Sequence, residues 1–198
     1  MNVSAVLVTR GNVDLGEIIE AIHEAGIHDC HVWDNSQHHA DISVYGRYFG
    51  IQNTEPGNAI YVQDDDCLLE PAAIAELVAA YEPGTVVANM PAPFRHDFYA
   101  DHCLVGFGAV FDRELPERAF TRFCDSGILT VENFADEARG FFFRCCDVVF
   151  TALTPFKLLD LPYTNMPWAT GPDRMYRQPD HVGERARMLE LARKARPQ

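Results

Sequence analysis

The sequence predicts an α/β protein: a single domain over residues 1–198, built on an open, mixed and mainly parallel sheet flanked by helices. Two observations predict this class. In the first half of the chain, short β-branched runs alternate with segments of helical periodicity, and the connections between them are short. Polar clusters follow three of the predicted strands, and open parallel sheets bind ligands beyond the carboxyl ends of their strands.

The first half contains the clearest elements. Residues 3–8 form a β-branched run that predicts a buried parallel strand. A helix is expected to begin at Asp14, which has Glu17 in the capping-box position, and to end at Gly26. The other elements expected before residue 90 are strands over about 30–33, 59–62 and 85–88, and a helix with Pro71 in its first turn.

The second half is less regular. The segment 103–111 predicts a strand in which Gly106 and Gly108 allow a close approach to the backbone. The other expected elements are helices over about 115–125, 131–139 and 144–153, a strand over about 156–161, a proline-rich loop over 162–179, and a last helix from Asp180 or His181 to about Ala195.

Charge and cysteine content narrow the classes of function and location. The chain has 29 acidic and 16 basic residues, and its net charge of −13 disfavours general binding of nucleic acid. The six cysteines form no CxxC pair, no signal-like segment opens the chain, and no apolar run approaches the ~20 residues that span a bilayer. We therefore expect a cytoplasmic protein with no membrane span.

Three consecutive aspartates, Asp64, Asp65 and Asp66, follow the third predicted strand. Alternation along a strand would point Asp64 and Asp66 to one side and Asp65 to the other. Two carboxylates that converge in this way suit a hard divalent cation such as Mg²⁺ or Mn²⁺. A solvated acidic turn is the alternative interpretation, but the apolar strand before the aspartates favours the cation site.

Further polar groups lie where a ligand site of such a fold would need them. Thr9-Arg10 and Asp34-Asn35 follow the first and second predicted strands, although the latter pair also suits an ordinary turn. Asp147 lies in a predicted helix, where capping that helix is the alternative role. His181 follows the proline-rich loop, and Arg185 comes one turn later.

The order of these motifs resembles the GT-A-fold glycosyltransferases, whose Rossmann-like domain carries a DxD motif at a strand end. The likeness extends over most of the chain, and it is nearest to small bacterial or phage-type enzymes and, loosely, to exostosin-type transferases. Leu104–Phe111 falls where the acceptor side of such a site begins. Cys146-Asp147 is similar to the acidic motif, with Cys146 where an acidic residue is common, and Asp180-His181 is similar to the C-terminal metal-binding histidine.

The resemblance implies a role for each candidate residue. Residues 1–91 would form the nucleotide-binding half, and residues 92–198 the acceptor side with a C-terminal metal- and phosphate-binding loop and helix. Asp147 would be the catalytic residue. The expected ligands of Mn²⁺ or Mg²⁺ are Asp64, Asp66 and His181. The expected donor-binding residues are Thr9, Arg10, Asp34, Asn35, Arg47, Asp64, Asp65, Arg174, Arg177 and Arg185. The expected acceptor-side residues are Gly106, Phe107 and Gly108.

The implied activity is transfer of a sugar from a nucleoside-diphosphate sugar to a hydroxyl group, with UDP expected rather than GDP as the nucleotide. The acceptor stays open among a saccharide, a small molecule, a protein and a modified DNA base. Two alternatives also stay open. One is a Mg²⁺-dependent phosphatase, whose usual nucleophile would follow the first strand, where this chain has Thr9-Arg10. The other is a non-catalytic nucleotide- or metal-binding module.

Overall fold

A computed structural model describes residues 1–128, 136–172 and 174–196 of the chain. In these residues the strands are β1 Val3–Thr9, β2 Asp29–Asp34, β3 Ala59–Asp64, β4 Cys67–Leu69, β5 Val86–Asn89, β6 Ala109–Asp112, β7 Phe156–Leu159 and β8 Tyr163–Asn165. The α-helices are α1 Gly16–Glu24, α2 Gly46–Gly50, α3 Pro71–Ala79, α4 Leu115–Asp125, α5 Asp136–Ala152 and α6 His181–Lys194.

Six of the strands form one mixed sheet in the order β2-β1-β3-β6-β5-β7. The pairs β1–β2, β1–β3 and β5–β7 are parallel, whereas β6 is antiparallel to both of its neighbours. The expected mainly parallel α/β sheet in a single domain is therefore confirmed. β6 of the second half lies between β3 and β5 of the first half, so the two halves share one sheet. β4 and β8 pair separately as a small antiparallel sheet.

Helices cover both faces of the large sheet because its central strands are apolar on both sides. Along β3, Ile60 and Val62 pack into one apolar cluster, while Ala59 and Tyr61 pack into the other. The first cluster includes residues of α2, α4, α5 and α6. The second includes residues of α1 and α3. This two-sided burial is typical of strands in a parallel sheet, and it leaves the strand ends as the places where polar side chains meet solvent.

Several boundaries differ from the sequence prediction. The first helix begins at Gly16, and Asp14 instead accepts a hydrogen bond from the Gly16 amide, 2.9 Å away, in the turn before it. The predicted strand 103–111 is a strand only from Ala109. Before it, Gly108 donates to the carbonyl of Val105 at 3.2 Å, and its φ of +98° belongs to a tight turn.

The C-terminal half shows the other differences. The two helices expected over 131–139 and 144–153 are replaced by the single helix α5, because its buried face continues from Phe142 to Val149. Residues 131–135 of the first expected helix lie outside the described residues. The loop expected over 162–179 contains strand β8, because its backbone pairs with β4. The short helix α2 and strand β4 had no counterpart in the prediction.

Candidate functional site

A cleft of about 590 Å³ opens at the carboxyl ends of β1 and β3. These strands are parallel neighbours, with Val8 paired to Asp64, so their last residues reach the same edge of the sheet. The expected site residues that line the cleft are Thr9, Arg10, Asn35, Asp64, Asp65, Asp66, Gly106, Phe107, Asp147, Arg174, His181 and Arg185. Asp66 and His181, which are distant in sequence, therefore face one cavity.

The three aspartates do not alternate as a strand would place them. β3 ends at Asp64, and Asp65 and Asp66 form the turn that leads into β4. The expectation that Asp65 would point away from the other two is therefore wrong, since all three carboxylates line the cleft. What distinguishes them is the set of groups around each one.

Asp65 is a buried structural link between β3 and the C-terminal loop. One of its carboxylate oxygens accepts a hydrogen bond from Thr9 Oγ1 at 3.0 Å, and the other contacts Arg174 Nη1 at 2.5 Å. Its backbone carbonyl accepts a hydrogen bond from Trp168 Nε1 at 2.6 Å. Because these bonds satisfy both oxygens, Asp65 holds the loop over the end of β1.

Asp64 is positioned by Arg47 and Gly106. Arg47 Nη2 forms an ion pair with one carboxylate oxygen, and the Asp64 amide donates to the Gly106 carbonyl at 2.8 Å. A Cβ added at Gly106 would lie only 2.7 Å from Asp64 Cγ. The glycine is therefore required by the close approach of this carboxylate.

Arg47 also reaches Asp147, on the opposite wall. The guanidinium is fully buried, and its Nη1 lies 3.7 Å from Asp147 Oδ2. Burial alone would lower the pKa of Arg47, but Asp147 and Asp64 together raise it above its usual value. Arg47, expected at the donor, does not line the cleft and instead lies between two carboxylates that do.

Asp147 lies within α5 and does not cap the helix. Its Oδ1 accepts a hydrogen bond from the hydroxyl of Tyr48, the residue after Arg47 on α2. Burial and the negative charge of Asp147 raise the pKa of Tyr48 well above its usual value, so the phenol stays protonated and donates this bond. α2 thus supplies a cation and a hydroxyl to one carboxylate in the cleft.

Asp66 is the least compensated of the three aspartates. Its nearest cationic atom is Arg174 Nη1, at 3.9 Å, and this guanidinium is already paired with Asp65. Burial, followed by the charge of Asp64, raises the pKa of Asp66 to about 7, while Arg174 opposes the shift. A carboxylate in this position gains from an additional cation, because nearby positive charge favours its ionised form.

The chemistry of these groups fits a divalent cation in part. Asp66 and the second oxygen of Asp64 are hard oxygen donors at the mouth of the cleft. However, no three His, Cys, Asp or Glu side chains form a metal-binding group among the described residues. Mg²⁺ commonly takes one or two protein carboxylates and completes its shell with substrate phosphates and water. Asp64 and Asp66 fit that mode, and His181 lines the same cleft without completing a three-residue group.

The start of α6 forms the remaining wall. His181 begins this helix, and burial, together with Arg185, lowers the pKa of its imidazole. Arg185, one turn later, is 5% exposed and lines the cleft. Its Nε and Nη2 have no hydrogen-bond partner among the described residues, and its sequence neighbour Glu184 is paired with Arg144.

Three other expected site residues do not line the cleft. Asp34 accepts hydrogen bonds from the amide and hydroxyl of Ser36, in the turn after β2, which is the ordinary-turn alternative. The Arg177 guanidinium lies 5.7 Å from the ring centre of Tyr176 on the surface. Gly108 packs behind the cleft, where an added Cβ would meet Leu69 at 3.1 Å. The structure therefore does not bring these three residues to the cleft that holds the other candidates.

The sequence interpretation missed Tyr48 and an aromatic wall. The aromatic residues of this wall are Phe94, Tyr99, Phe107, Tyr163, Trp168 and Tyr176, of which only Phe107 was expected. Trp168 and Tyr176 lie in the proline-rich segment. Large aromatic side chains in a loop usually pack against another part of the protein, so their presence could have predicted that this segment lines a site. Nothing in the sequence marks Tyr48 as a partner of Asp147.

Comparisons with protein-family models and with curated proteins found no match for this chain. Among residues 1–128, 136–172 and 174–196, no helix is long and apolar enough to cross a membrane. The functional argument therefore rests on the cleft and the groups that line it.

Proposed function

We propose that this protein is a metal-dependent glycosyltransferase of the GT-A type. It would transfer a sugar from a nucleoside-diphosphate sugar, UDP rather than GDP, to a hydroxyl acceptor. The observation that carries the proposal is the acidic turn Asp64–Asp66 at the carboxyl end of β3, in one cleft with Asp147. The mainly parallel sheet is consistent with the Rossmann-like fold that the resemblance implies.

The donor nucleotide would bind along the ends of β1 and β2. Thr9, Arg10 and Asn35 line this part of the cleft, and they offer hydroxyl, guanidinium and amide groups for a ribose, a phosphate and a base. Arg174 already lies beside Asp65 and Asp66. It would contact the diphosphate when other positive charge compensates these two carboxylates.

The diphosphate needs positive charge as the glycosidic bond breaks, because negative charge then develops on its leaving oxygen. A divalent cation supplies that charge as a Lewis acid. Asp66 would hold it, with the second oxygen of Asp64, and the ion pair between Arg47 and Asp64 would keep that carboxylate oriented.

Asp147 would act on the acceptor. In an inverting reaction its carboxylate would accept the proton of the attacking hydroxyl, and in a retaining reaction it would position the acceptor. Tyr48 and Arg47 fix the orientation of this carboxylate, since one donates to Oδ1 and the other lies beside Oδ2. The remaining acceptor wall is apolar and aromatic, which suits the face of a sugar ring.

Calorimetric titration tests the proposal most directly. UDP and GDP are each titrated with and without Mn²⁺, and we expect UDP to bind only when Mn²⁺ is present. If neither nucleotide binds with Mn²⁺ present, the transferase assignment is wrong. Binding without any turnover of sugar nucleotides would favour the non-catalytic module, and release of phosphate from phosphomonoesters would favour the phosphatase.

Two variants then connect turnover to the acidic turn. Asp66→Ala is expected to reduce hydrolysis or transfer of the sugar nucleotide by about 100-fold, because the cation contributes several kcal/mol to the transition state. Asp125→Asn removes one negative charge from the exposed end of α4, away from the cleft, and should leave turnover unchanged. Unchanged turnover in Asp66→Ala would exclude this residue as a metal ligand.

A further inference from the structure

A buried cationic group in the cleft has no counter-ion among the described residues. Arg185 is 5% exposed, yet its Nε and Nη2 have no hydrogen-bond partner in the described part of the chain. A buried guanidinium without partners is costly, because its N–H groups have lost water and gained nothing in return. These two nitrogens form one edge of the guanidinium fork, the edge that carboxylate and phosphate bind in a bidentate manner.

A second buried group beside Arg185 also lacks hydrogen bonds. His102 is fully buried, and neither of its ring nitrogens has a hydrogen-bond partner in the part of the chain that the structure describes. Burial and the charge of Arg185 both lower the pKa of His102, to about 3, so the imidazole is neutral and supplies one N–H donor. Its ring lies 5.0 Å from that of Tyr99, which lines the cleft.

The position of Arg185 indicates which substrate it serves. The groups whose pKa values respond to its charge are His102, Cys103, Cys145 and His181, which belong to the segment before β6 and to α5 and α6. None of these four groups belongs to β1 or β2, whose ends carry Thr9 and the turn with Asn35. At the acidic turn the cations are instead Arg47, paired with Asp64, and Arg174, beside Asp65 and Asp66.

We infer that Arg185 binds an anionic group, a carboxylate or a phosphate, on the acceptor substrate. This inference rests on the proposed function, and it moves Arg185 from the donor-binding role expected from the sequence. The aromatic residues Phe94, Phe107 and Tyr163 line the same cleft, with ring centres 5.1 Å and 4.8 Å apart along the row. An anionic sugar, with a ring for the aromatic surface and an oxyanion for Arg185, matches both features.

Binding of simple sugars to the UDP–Mn²⁺ complex tests the inference. The probes are D-glucuronate, D-glucose 6-phosphate and neutral D-glucose, titrated into the complex and into the protein alone. We expect at least one anionic sugar to bind the complex at least tenfold more tightly than glucose. Arg185→Gln should abolish that preference, and Arg185→Lys, which keeps the charge but loses the fork, should retain part of it.

The control variant is Arg187→Gln, on the exposed face of the same helix, where the guanidinium lies 5.4 Å from the ring centre of Phe141. It should leave the preference for the anionic sugar unchanged. Arg185→Gln should also melt no lower than the wild type, because it removes an unpaired buried charge. A melting temperature measured for each variant separates loss of the site from loss of the fold.

Each outcome of the titrations decides the inference. Affinity for UDP and Mn²⁺ that is unchanged within twofold in Arg185→Gln, together with loss of the anionic sugar, supports the acceptor role. A tenfold loss of UDP affinity in this variant overturns it and assigns Arg185 to the donor diphosphate. Absence of any preference for the anionic sugars also overturns it. Failure of UDP to bind the wild type, by contrast, contradicts the proposed function itself, and binding of anions to the protein alone still reports on Arg185.

Discussion

At the carboxyl end of β3, Asp64 and Asp65 each contact a guanidinium, whereas near α6 two nitrogens of Arg185 and both of His102 have no partner among the described residues. The charges of Asp64 and Asp65 are thus paired within the protein, although Nε and Nη1 of the buried Arg47 also lack hydrogen-bond partners among the described residues. Near α6, by contrast, the buried guanidinium of Arg185 has no carboxylate within ion-pair distance among those residues. The difference between the two regions is therefore one of charge pairing: carboxylates and guanidinium groups meet at the end of β3, and a buried cation stands alone near α6.

The largest effect should come from removing the cation at the centre of the compensated region. Arg47→Met would leave Asp64 and Asp147 without their shared guanidinium, and we expect a loss of ~3–5 kcal/mol in the free energy of unfolding. Urea denaturation at pH 7 measures it. Arg118→Met, on the exposed face of α4, should change stability by at most about 0.5 kcal/mol. Equal losses in the two variants would contradict the role of Arg47.

The next effect concerns the space that holds Asp64. Gly106→Ala would push a methyl group against this carboxylate, and we expect a loss of ~1–3 kcal/mol and weaker binding of UDP with Mn²⁺. The φ of Gly106 is not positive, so the close approach and not the backbone conformation causes the loss. Gly140→Ala, within α5, meets only the flexible end of Arg144 and should not destabilise the protein. If Gly106→Ala leaves both stability and nucleotide binding unchanged, Asp64 can move to make room for the methyl group.

Asp66 should make stability depend on pH in the direction opposite to Asp34. The pKa of Asp66 is raised by burial to about 7, so its contribution to stability is full below pH 3.8 and is lost as pH rises towards 7. Asp66→Asn should therefore be more stable than the wild type at pH 8. One pKa unit corresponds to about 1.4 kcal/mol, so the gain in the free energy of unfolding should be a few kcal/mol at most, and it should vanish near pH 4.

The paired measurement uses Asp34→Asn. Hydrogen bonds from the hydroxyl and amide of Ser36 lower the pKa of Asp34, so its contribution to stability is present above pH 3.8 and is lost as pH falls through the lowered pKa. This variant should be less stable than the wild type at pH 8. Melting curves from pH 3 to pH 8 test both, and parallel curves for the two variants would contradict the assigned environments.

The smallest effect should come from one hydrogen bond to Asp65. Thr9→Val keeps the shape of the side chain but removes the donor 3.0 Å from Asp65 Oδ2, and we expect a loss of ~1 kcal/mol in stability. Arg174 still contacts the other carboxylate oxygen, so the loop should stay in place. A loss above that for Arg47→Met would reverse the ranking of the two contacts.

Features that arise from local sequence were predictable, and features that arise from packing were not. The β-branched runs at 3–8 and 59–62 predicted two sheet-centre strands, and the aspartates after the second predicted the polar strand end. The direction of Asp65 was not predictable, because it depends on where β3 stops and turns into β4. Strand β8 was hidden for a similar reason, since it is defined by pairing with β4 rather than by its own residues.

Within the cleft, the acidic residues were easier to recognise in the sequence than the residues that pair with them and orient them. Asp64, Asp66 and Asp147 stand out by residue type and position, and the structure brings all three to one cavity. Arg47 could be named as a candidate, but its full burial between two carboxylates comes from the placement of α2 against α5. Tyr48 had no signal, because a tyrosine next to an arginine is unremarkable until α5 is placed above it.

The shared guanidinium of Arg47 has a consequence for how the two carboxylates communicate. The side chain of Arg47 neutralises both Asp64 and Asp147. Positive charge that binds at Asp64 therefore weakens the attraction between Asp64 and Arg47. A cation bound at Asp64 would therefore alter the balance of charge around Asp147 through this one buried guanidinium.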